Sequence, residues 1–120
     1  ILIGGAGTHD VARYAGFIGA SSVTVTLGKD GALTIGHGGH AEGDKLTGIE
    51  DVIGSFHGDK ISGNGAANII VGIAGNDTLS GGGDADTIYG GFGSDSIILA
   101  GFALSVSGRS SHSSLSPERR

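Results

Sequence analysis

A repeated nonapeptide occupies the second half of the chain. Residues 54–98 divide without a gap into five blocks, which read GSFHGDKIS, GNGAANIIV, GIAGNDTLS, GGGDADTIY and GGFGSDSII. Every block has glycine at position one, Asp or Asn at position six, and Ile or Leu at position eight. A preceding block, residues 45–53, keeps Glu50 at position six and Val52 at position eight. A fixed step of this kind indicates a repeat architecture.

The chemistry of the repeated positions predicts short strands around a thin core. Position eight carries Ile61, Ile70, Leu79, Ile88 and Ile97. β-Branched side chains and leucine at a constant step favour strands that point one residue each into a shared interior, and we expect position eight alone to face inward. The 26 glycines of the chain are expected to supply the positive φ values of tight turns.

The blocks resemble the G-G-x-G-x-D-x-U-x nonapeptide of the repeat-in-toxin (RTX) family, the hemolysin-type calcium-binding repeats. Block 90–98 matches this pattern in full, and block 72–80 departs from it only by Ile73. The resemblance implies an all-β fold, a right-handed parallel β-roll (a β-helix solenoid) in which two blocks form one coil. It also implies Ca²⁺ as the cofactor.

If two blocks form one coil, residues eighteen apart stack on each other at the spacing of neighbouring strands, about 4.8 Å. The resulting columns are Asp59, Asp77 and Asp95 on one edge, and Asn68 and Asp86 on the other. Stacked carboxylates repel each other, and a divalent cation between them turns the repulsion into attraction. We expect a site between each stacked pair, the weakest at Asn68, which carries no charge.

Calcium suits such turns because it accepts six to eight oxygen ligands in flexible geometry. The resemblance assigns the remaining ligands to backbone carbonyl groups in the glycine-rich part of the turn, which maps onto Gly72, Gly75, Gly90 and Gly93. Asp84 stands where its block would carry a glycine, so this turn departs from the family pattern.

The remaining segments are expected to be a degenerate repeat, an insertion and a tail. Residues 1–12 contain a repeat-like stretch with His9 at the position of the Asp, and residues 12–18 predict a further strand. Within residues 13–42, the strand-like stretches 22–27 and 32–35 flank Gly-Lys-Asp-Gly, which predicts an antiparallel β-hairpin insertion. Residues 43–98 are expected to form the calcium-binding roll. The Ser-rich residues 99–120 are predicted to be a disordered tail.

Charge and composition exclude several classes of partner. The net charge is −5, and residues 1–100 contain eleven acidic and four basic residues, a net charge of −7. Such an acidic body disfavours nucleic acid and anionic membranes, which need clustered Lys and Arg. No apolar run is long enough for a membrane span, and the absence of Cys excludes thiolate sites.

Catalytic motifs do not stand out. No G-x-S-x-G elbow accompanies His9, Asp10 and the serines, and no P-loop follows Gly36. Zinc at His37, His40 and His57 is conceivable, but no supporting ligand stands at a suitable spacing, and they are interpreted as loop histidines.

We therefore expect no enzymatic activity from this chain. The hypothesis is calcium binding in a secreted, extracellular bacterial protein, with calcium as the structural ligand that folds the roll. Through the parent protein, the resemblance also implies type I secretion machinery as a partner. The alternative is a fragment of a secreted protease, lipase, epimerase or adhesin whose active part lies elsewhere.

Overall fold

The structure is a computed structural model that describes residues 2–5, 7, 9–15, 21–29, 32–83, 85–99, 102–108 and 113–117. It is all-β apart from short 3₁₀ turns, one of them at Gly39–Ala41. The strands are β1 Leu2–Ile3, β2 Val11–Arg13, β3 Thr24–Thr26, β4 Thr34–Ile35, β5 Lys45–Thr47, β6 Asp51–Ile53, β7 Lys60–Ser62, β8 Ile69–Val71, β9 Thr78–Ser80, β10 Ala85–Gly91, β11 Asp95–Leu99, β12 Phe102–Gly108 and β13 Ser113–Pro117.

Two five-stranded parallel sheets contain most of these strands. Their orders are β12-β10-β8-β6-β2 and β13-β11-β9-β7-β3, so consecutive strands from β6 onward alternate between the sheets. The register pairs Ile61 with Leu79 and Leu79 with Ile97, which confirms that residues eighteen apart stack. The parallel sheets are consistent with a β-roll, and the hand of the roll stays a prediction.

The core is one aliphatic side chain thick on each sheet. The stacked residues are less than 2% exposed and comprise Val25, Ile61, Leu79 and Ile97 in one sheet and Ala12, Val52, Ile70 and Ile88 in the other. Position eight is therefore buried in every block, as predicted. The expectation that it alone faces inward is wrong, because the residues at position six are also buried. Residues two apart in an extended segment share a face, so Asp59 points the same way as Ile61.

Glycine is required in these turns for two different structural reasons. Those at positions two and four, such as Gly91 (φ 83°) and Gly75 (φ 90°), have the left-handed backbone that the sequence predicts. The glycines at position one do not. At Gly72, a Cβ atom would overlap the carboxylate of Asp77 and lie 2.7 Å from the carbonyl oxygen of Gly90. Position one is glycine because the turn leaves no space for a side chain.

Ile73 has a strained backbone. Its φ of 81° resembles that of Gly91, the residue stacked on it in the next coil, and it is the one non-glycine residue with positive φ in the described part of the chain. A β-branched residue is a genuine outlier there. Relief of strain of about 1–3 kcal/mol exceeds the entropic cost of glycine, about 0.5–1 kcal/mol.

We therefore expect Ile73→Gly to stabilise the calcium-bound chain by about 1 kcal/mol, measured by urea denaturation. The matched substitution Ile69→Gly removes a similar side chain from a strand, where glycine relieves no strain, and should destabilise. An Ile73→Gly chain less stable than the wild type would contradict the argument.

The insertion differs from the predicted hairpin. β3 and β4 do not form a two-stranded ladder: β3 lies parallel to β7, and β4 pairs antiparallel with β5. One antiparallel bridge, Thr24 to His37, is what remains of the expected pairing. Val25 decides the outcome, because pairing with Ile61 buries it completely. Residues 16–20, which include part of the further strand predicted at 12–18, and residues 30–31 lie outside the described residues.

The prediction for the C-terminal segment is met only in part. Residues 102–108 and 113–117 form β12 and β13, which extend the two sheets by pairing with β10 and β11, and residues 100–101, 109–112 and 118–120 lie outside the described residues. Val106 pairs with Ile88 and Leu115 with Ile97, so the step of eighteen continues after position six has lost its Asp. An open parallel edge offers unpaired N–H and C=O groups to any extended segment. The division of the chain into four segments stays a prediction.

Candidate metal centre

The residues at position six are linked from coil to coil by hydrogen bonds from a backbone N–H to a side-chain carboxylate. The N–H of Asp59 donates to Asp77 Oδ1 at 2.8 Å, and the N–H of Asp77 donates to Asp95 Oδ1 at 3.0 Å. On the other edge, the N–H of Asn68 donates to Asp86 Oδ1 at 2.9 Å. We call Asp59, Asp77 and Asp95 the first column, and Asn68 and Asp86 the second column. The structure thus brings the predicted side chains together in the predicted pairs.

The second carboxylate oxygen has no protein partner in two of these turns. Asp77 Oδ2 and Asp95 Oδ2 are buried, and neither accepts a hydrogen bond. Each lies directly over the first glycine of its own turn, Gly72 or Gly90, and the Gly90 carbonyl oxygen also approaches Gly72. A buried carboxylate oxygen without a donor is costly, so these two positions call for a cation.

The donor set fits calcium. Among the described residues, no three His, Asp or Glu side chains lie close enough together to hold a metal. A cation in these turns must therefore take most of its ligands from backbone carbonyl groups, with one carboxylate from each turn. Hard oxygen donors in irregular geometry suit Ca²⁺, whereas Zn²⁺ favours His and Cys. Of the four predicted carbonyl residues, Gly75 and Gly93 have the left-handed backbone, and Gly72 and Gly90 lie against carboxylates.

Asp59 differs from the other two members of the first column. Its Oδ1 accepts hydrogen bonds from the Ser55 hydroxyl at 2.6 Å and from the Val23 N–H at 2.9 Å. Its Oδ2 accepts one from the Ser55 N–H at 2.7 Å. Both oxygens of Asp59 are therefore satisfied by protein groups. Ser55, which stands at position two, is a functional neighbour that the nonapeptide pattern did not reveal.

The second column is more polar than anionic. The Asn68 side chain accepts from the Asn64 N–H at 3.0 Å and donates to the Glu50 carbonyl and to Asn64 Oδ1. Asn68 therefore holds its turn with neutral hydrogen bonds, and the column contributes one carboxylate, that of Asp86. Asp84 lies outside the described residues.

The predicted loop histidines do not converge. His37 lies 3.9 Å from the exposed Glu42, and the His57 N–H donates to the Ser55 hydroxyl. Sequence reasoning missed a different contact, in which His9 Nδ1 lies 3.0 Å from the buried carboxylate of Asp51. That carboxylate also accepts the Ile69 N–H at 2.7 Å. The sequence signal that could have revealed this contact is an acidic residue, Asp51, directly before the inward-facing Val52.

Burial raises the pKa of Asp77 from 3.8 to about 7. The hydrogen bond from the Asp59 backbone opposes this shift, whereas the charges of Asp59 and Asp95 add to it. In the metal-free chain, a proton therefore stabilises this carboxyl group where the cation would otherwise do so.

We expect the strand content of the metal-free chain to fall as the pH rises from about 5 to about 8. The pKa of Asp77 is higher in the folded chain than in the unfolded chain, so the folded chain binds more protons between the two values. The contribution of Asp77 to the stability of the folded chain is therefore complete below about pH 4 and is lost as the pH rises through about 7. Circular dichroism of metal-stripped protein tests this, with Asp77→Asn as the control that should flatten the dependence. A pH-independent wild type would contradict it.

The fold and the turns define the class of protein: an all-β repeat chain whose stacked turns offer oxygen ligands to a hard cation. Residues 50–97 match the model of the RTX calcium-binding nonapeptide repeat in four copies. This segment therefore belongs to the RTX calcium-binding repeat family, whose ion is Ca²⁺. The family is one of binding repeats and not of catalytic domains. No curated protein matches the chain.

Within the described ranges, the structure contains no helix with the length and apolar character needed to cross a membrane.

Proposed function

We propose that Ca²⁺ binds between successive turns of each column and acts as the structural ligand that folds the roll. The observation that carries this proposal is the pair of buried, unpartnered oxygens, Asp77 Oδ2 and Asp95 Oδ2. The family match supports calcium as the ion. When bound, the ion supplies positive charge between the turns, and the chain supplies one carboxylate and several carbonyl groups from each turn.

The hydrogen bonds rank the three proposed sites. The pair Asp77 and Asp95 has two unpartnered oxygens and should bind most tightly. The pair Asp59 and Asp77 has one, because Ser55 and Val23 satisfy Asp59. The pair Asn68 and Asp86 has a neutral member and should bind most weakly.

Calorimetric titration of calcium into metal-stripped chain tests the ligands. The three proposed sites of the two columns should together bind about three ions in the wild type, with affinity in the extracellular range of roughly 10⁻⁴–10⁻³ M. Asp77→Asn should lose about two of them, because Asp77 belongs to two stacked pairs. The substitution keeps the size of the side chain and one acceptor oxygen.

Glu42→Gln is the matched control, since it removes the same charge from an exposed side chain that contacts Gly38 and His37 of its own loop. It should bind calcium as the wild type does. Equal binding by Asp77→Asn and the wild type would show that the first column is not the ligand set.

The wider proposal is that the parent protein is secreted by type I machinery and that the roll folds outside the cell. Low calcium inside would keep the repeats extended for export, and millimolar calcium outside would fold them. The acidic charge of residues 1–100 supports this, because it stabilises the ion-bound state and opposes folding without ions. Retention of strand structure at submicromolar calcium would contradict it.

A second candidate is that the chain serves an adhesin, in which the roll itself meets a partner. The exposed Phe56 and Phe92, which stand at the same turn position two coils apart, favour a contact surface. Calcium-dependent binding of the chain to cells or glycans, lost in Phe56→Ser with Phe92→Ser, would support it. Turnover of an ester, peptide or glycan would instead place an enzyme's active site here.

A further inference from the structure

We infer that Asp10 and Glu50 form an additional calcium site, between the turn that follows β1 and the turn that follows β5. This inference rests on the proposed function, because it assigns the same ion to a turn outside residues 50–97. The nonapeptide register does not find this turn, since it places His9 rather than Asp10 at position six.

Backbone contacts identify Asp10 as the counterpart of Asp59. The Asp10 N–H donates to Glu50 Oε2 at 3.0 Å, just as the Asp59 N–H donates to Asp77 Oδ1 at 2.8 Å. The Asp10 carbonyl accepts the Asp51 N–H at 3.0 Å, just as the Asp59 carbonyl accepts the N–H of the residue after Asp77 at 2.8 Å. Asp10 also lies two residues before the inward Ala12, which pairs with Val52. The upstream turn is therefore one residue longer than a nonapeptide turn.

One oxygen of the Asp10 carboxylate resembles those of Asp77 and Asp95, although Asp10 as a whole is half-buried and the other two residues are fully buried. Asp10 Oδ2 is a buried atom, and it accepts no hydrogen bond. A Cβ atom at Gly7 would lie 2.8 Å from this oxygen, so the carboxylate again packs on glycine backbone. The His9 ring is directed elsewhere, with Nδ1 3.0 Å from Asp51 Oδ2. An unpartnered buried carboxylate oxygen is thus a feature that this turn shares with the principal sites.

The turn of Asp10 also resembles the nonapeptide turns in its nearby carbonyl oxygens and in the presence of a second acidic residue. A Cβ atom at Gly4 would overlap the Gly48 carbonyl oxygen, as one at Gly63 would overlap that of Gly81. Glu50 also lines an open cavity of about 590 Å³, through which an ion can reach it from solvent. Lys29 lines the same cavity and opposes a cation, so this site should be weaker than that of Asp77 and Asp95.

Equilibrium dialysis of the full chain at millimolar calcium tests the inference. Asp10→Asn should bind about one ion fewer than the wild type. His9→Asn, the neighbour that the register selects, should bind as many ions as the wild type. The amide resonances of Gly91 and Gly93 in calcium report in parallel whether the roll of each variant is folded.

The outcomes separate this inference from the proposed function. A wild type that binds no calcium overturns the proposed function. A wild type that binds calcium, with Asp10→Asn equal to it, overturns this inference alone. If Asp10→Asn also loses the folded resonances of Gly91 and Gly93, then Glu50→Gln decides, because it keeps an acceptor for the Asp10 N–H. Loss of about one ion there supports the site, and an unchanged number of ions overturns it.

Discussion

Removal of calcium will abolish most of the strand structure of the chain at neutral pH. The core is one aliphatic residue thick, and the buried layer beside it consists of Asp59, Asn68, Asp77, Asp86 and Asp95. Leaving a buried charge without a partner costs about 3–5 kcal/mol, and the first column contains two such oxygens. A small domain is stable by only about 5–15 kcal/mol, so the metal-free roll should unfold.

Far-UV circular dichroism measures this directly. Excess chelator at about pH 7.5, where Asp77 is mostly ionised, should reduce the strand signal to less than about half of its value in millimolar calcium. Calcium should restore the signal, and magnesium should not, because it keeps its water ligands and demands an octahedral site. Equal spectra in chelator and in calcium would show that the sheets alone stabilise the fold.

Gly72→Ala will disrupt the calcium site and destabilise the roll. The added methyl group would overlap Asp77 Oδ2 and lie 2.7 Å from the Gly90 carbonyl oxygen, which belongs to rigid backbone. The carboxylate must then leave its position over the turn, or the coils must separate. Overpacking of this kind costs about 1–3 kcal/mol. The loss of calcium affinity adds to it, so we expect a total near 3 kcal/mol.

Gly65→Ala is the matched control. It makes the same chemical change one block earlier, but the added Cβ would meet no atom within 4 Å. Its effect on the urea midpoint in calcium should stay within about 0.5 kcal/mol. Equal stabilities of the two variants would mean that glycine at position one serves flexibility and not the approach of the carboxylate.

The nonapeptide register predicts the fold well because one period sets both strands and turns. The step of nine predicts the stacking of Ile61, Leu79 and Ile97, and the structure confirms it. The columns of the site follow from the same step. What the register does not contain is the hydrogen bonding within a turn, which decides that Asp59 is satisfied and Asp77 is not.

The predictions that the structure meets only in part involve competition between pairings. The run around Val25 reads as one arm of a hairpin, but its register with Ile61 buries it in the parallel sheet. The residues of a local turn carry no information about a strand partner that is distant in the sequence. Similarly, an extra residue in the upstream turn places the acid at Asp10 instead of His9, and the pairing of Ala12 with Val52 and the hydrogen bond from the Asp10 N–H to Glu50 reveal the shift.

The turn at Asp59, in which protein groups satisfy both carboxylate oxygens, gives the folding of the roll a starting point and a direction. Ser55 and Val23 hold that turn with protein groups alone, whereas Asp77 Oδ1 depends on the N–H of Asp59, and Asp95 Oδ1 on that of Asp77. Each carboxylate is therefore oriented by the coil before it. Ordering should start at Asp59 and advance coil by coil toward the C terminus, so that the part of the repeat synthesised last is also the last to become rigid.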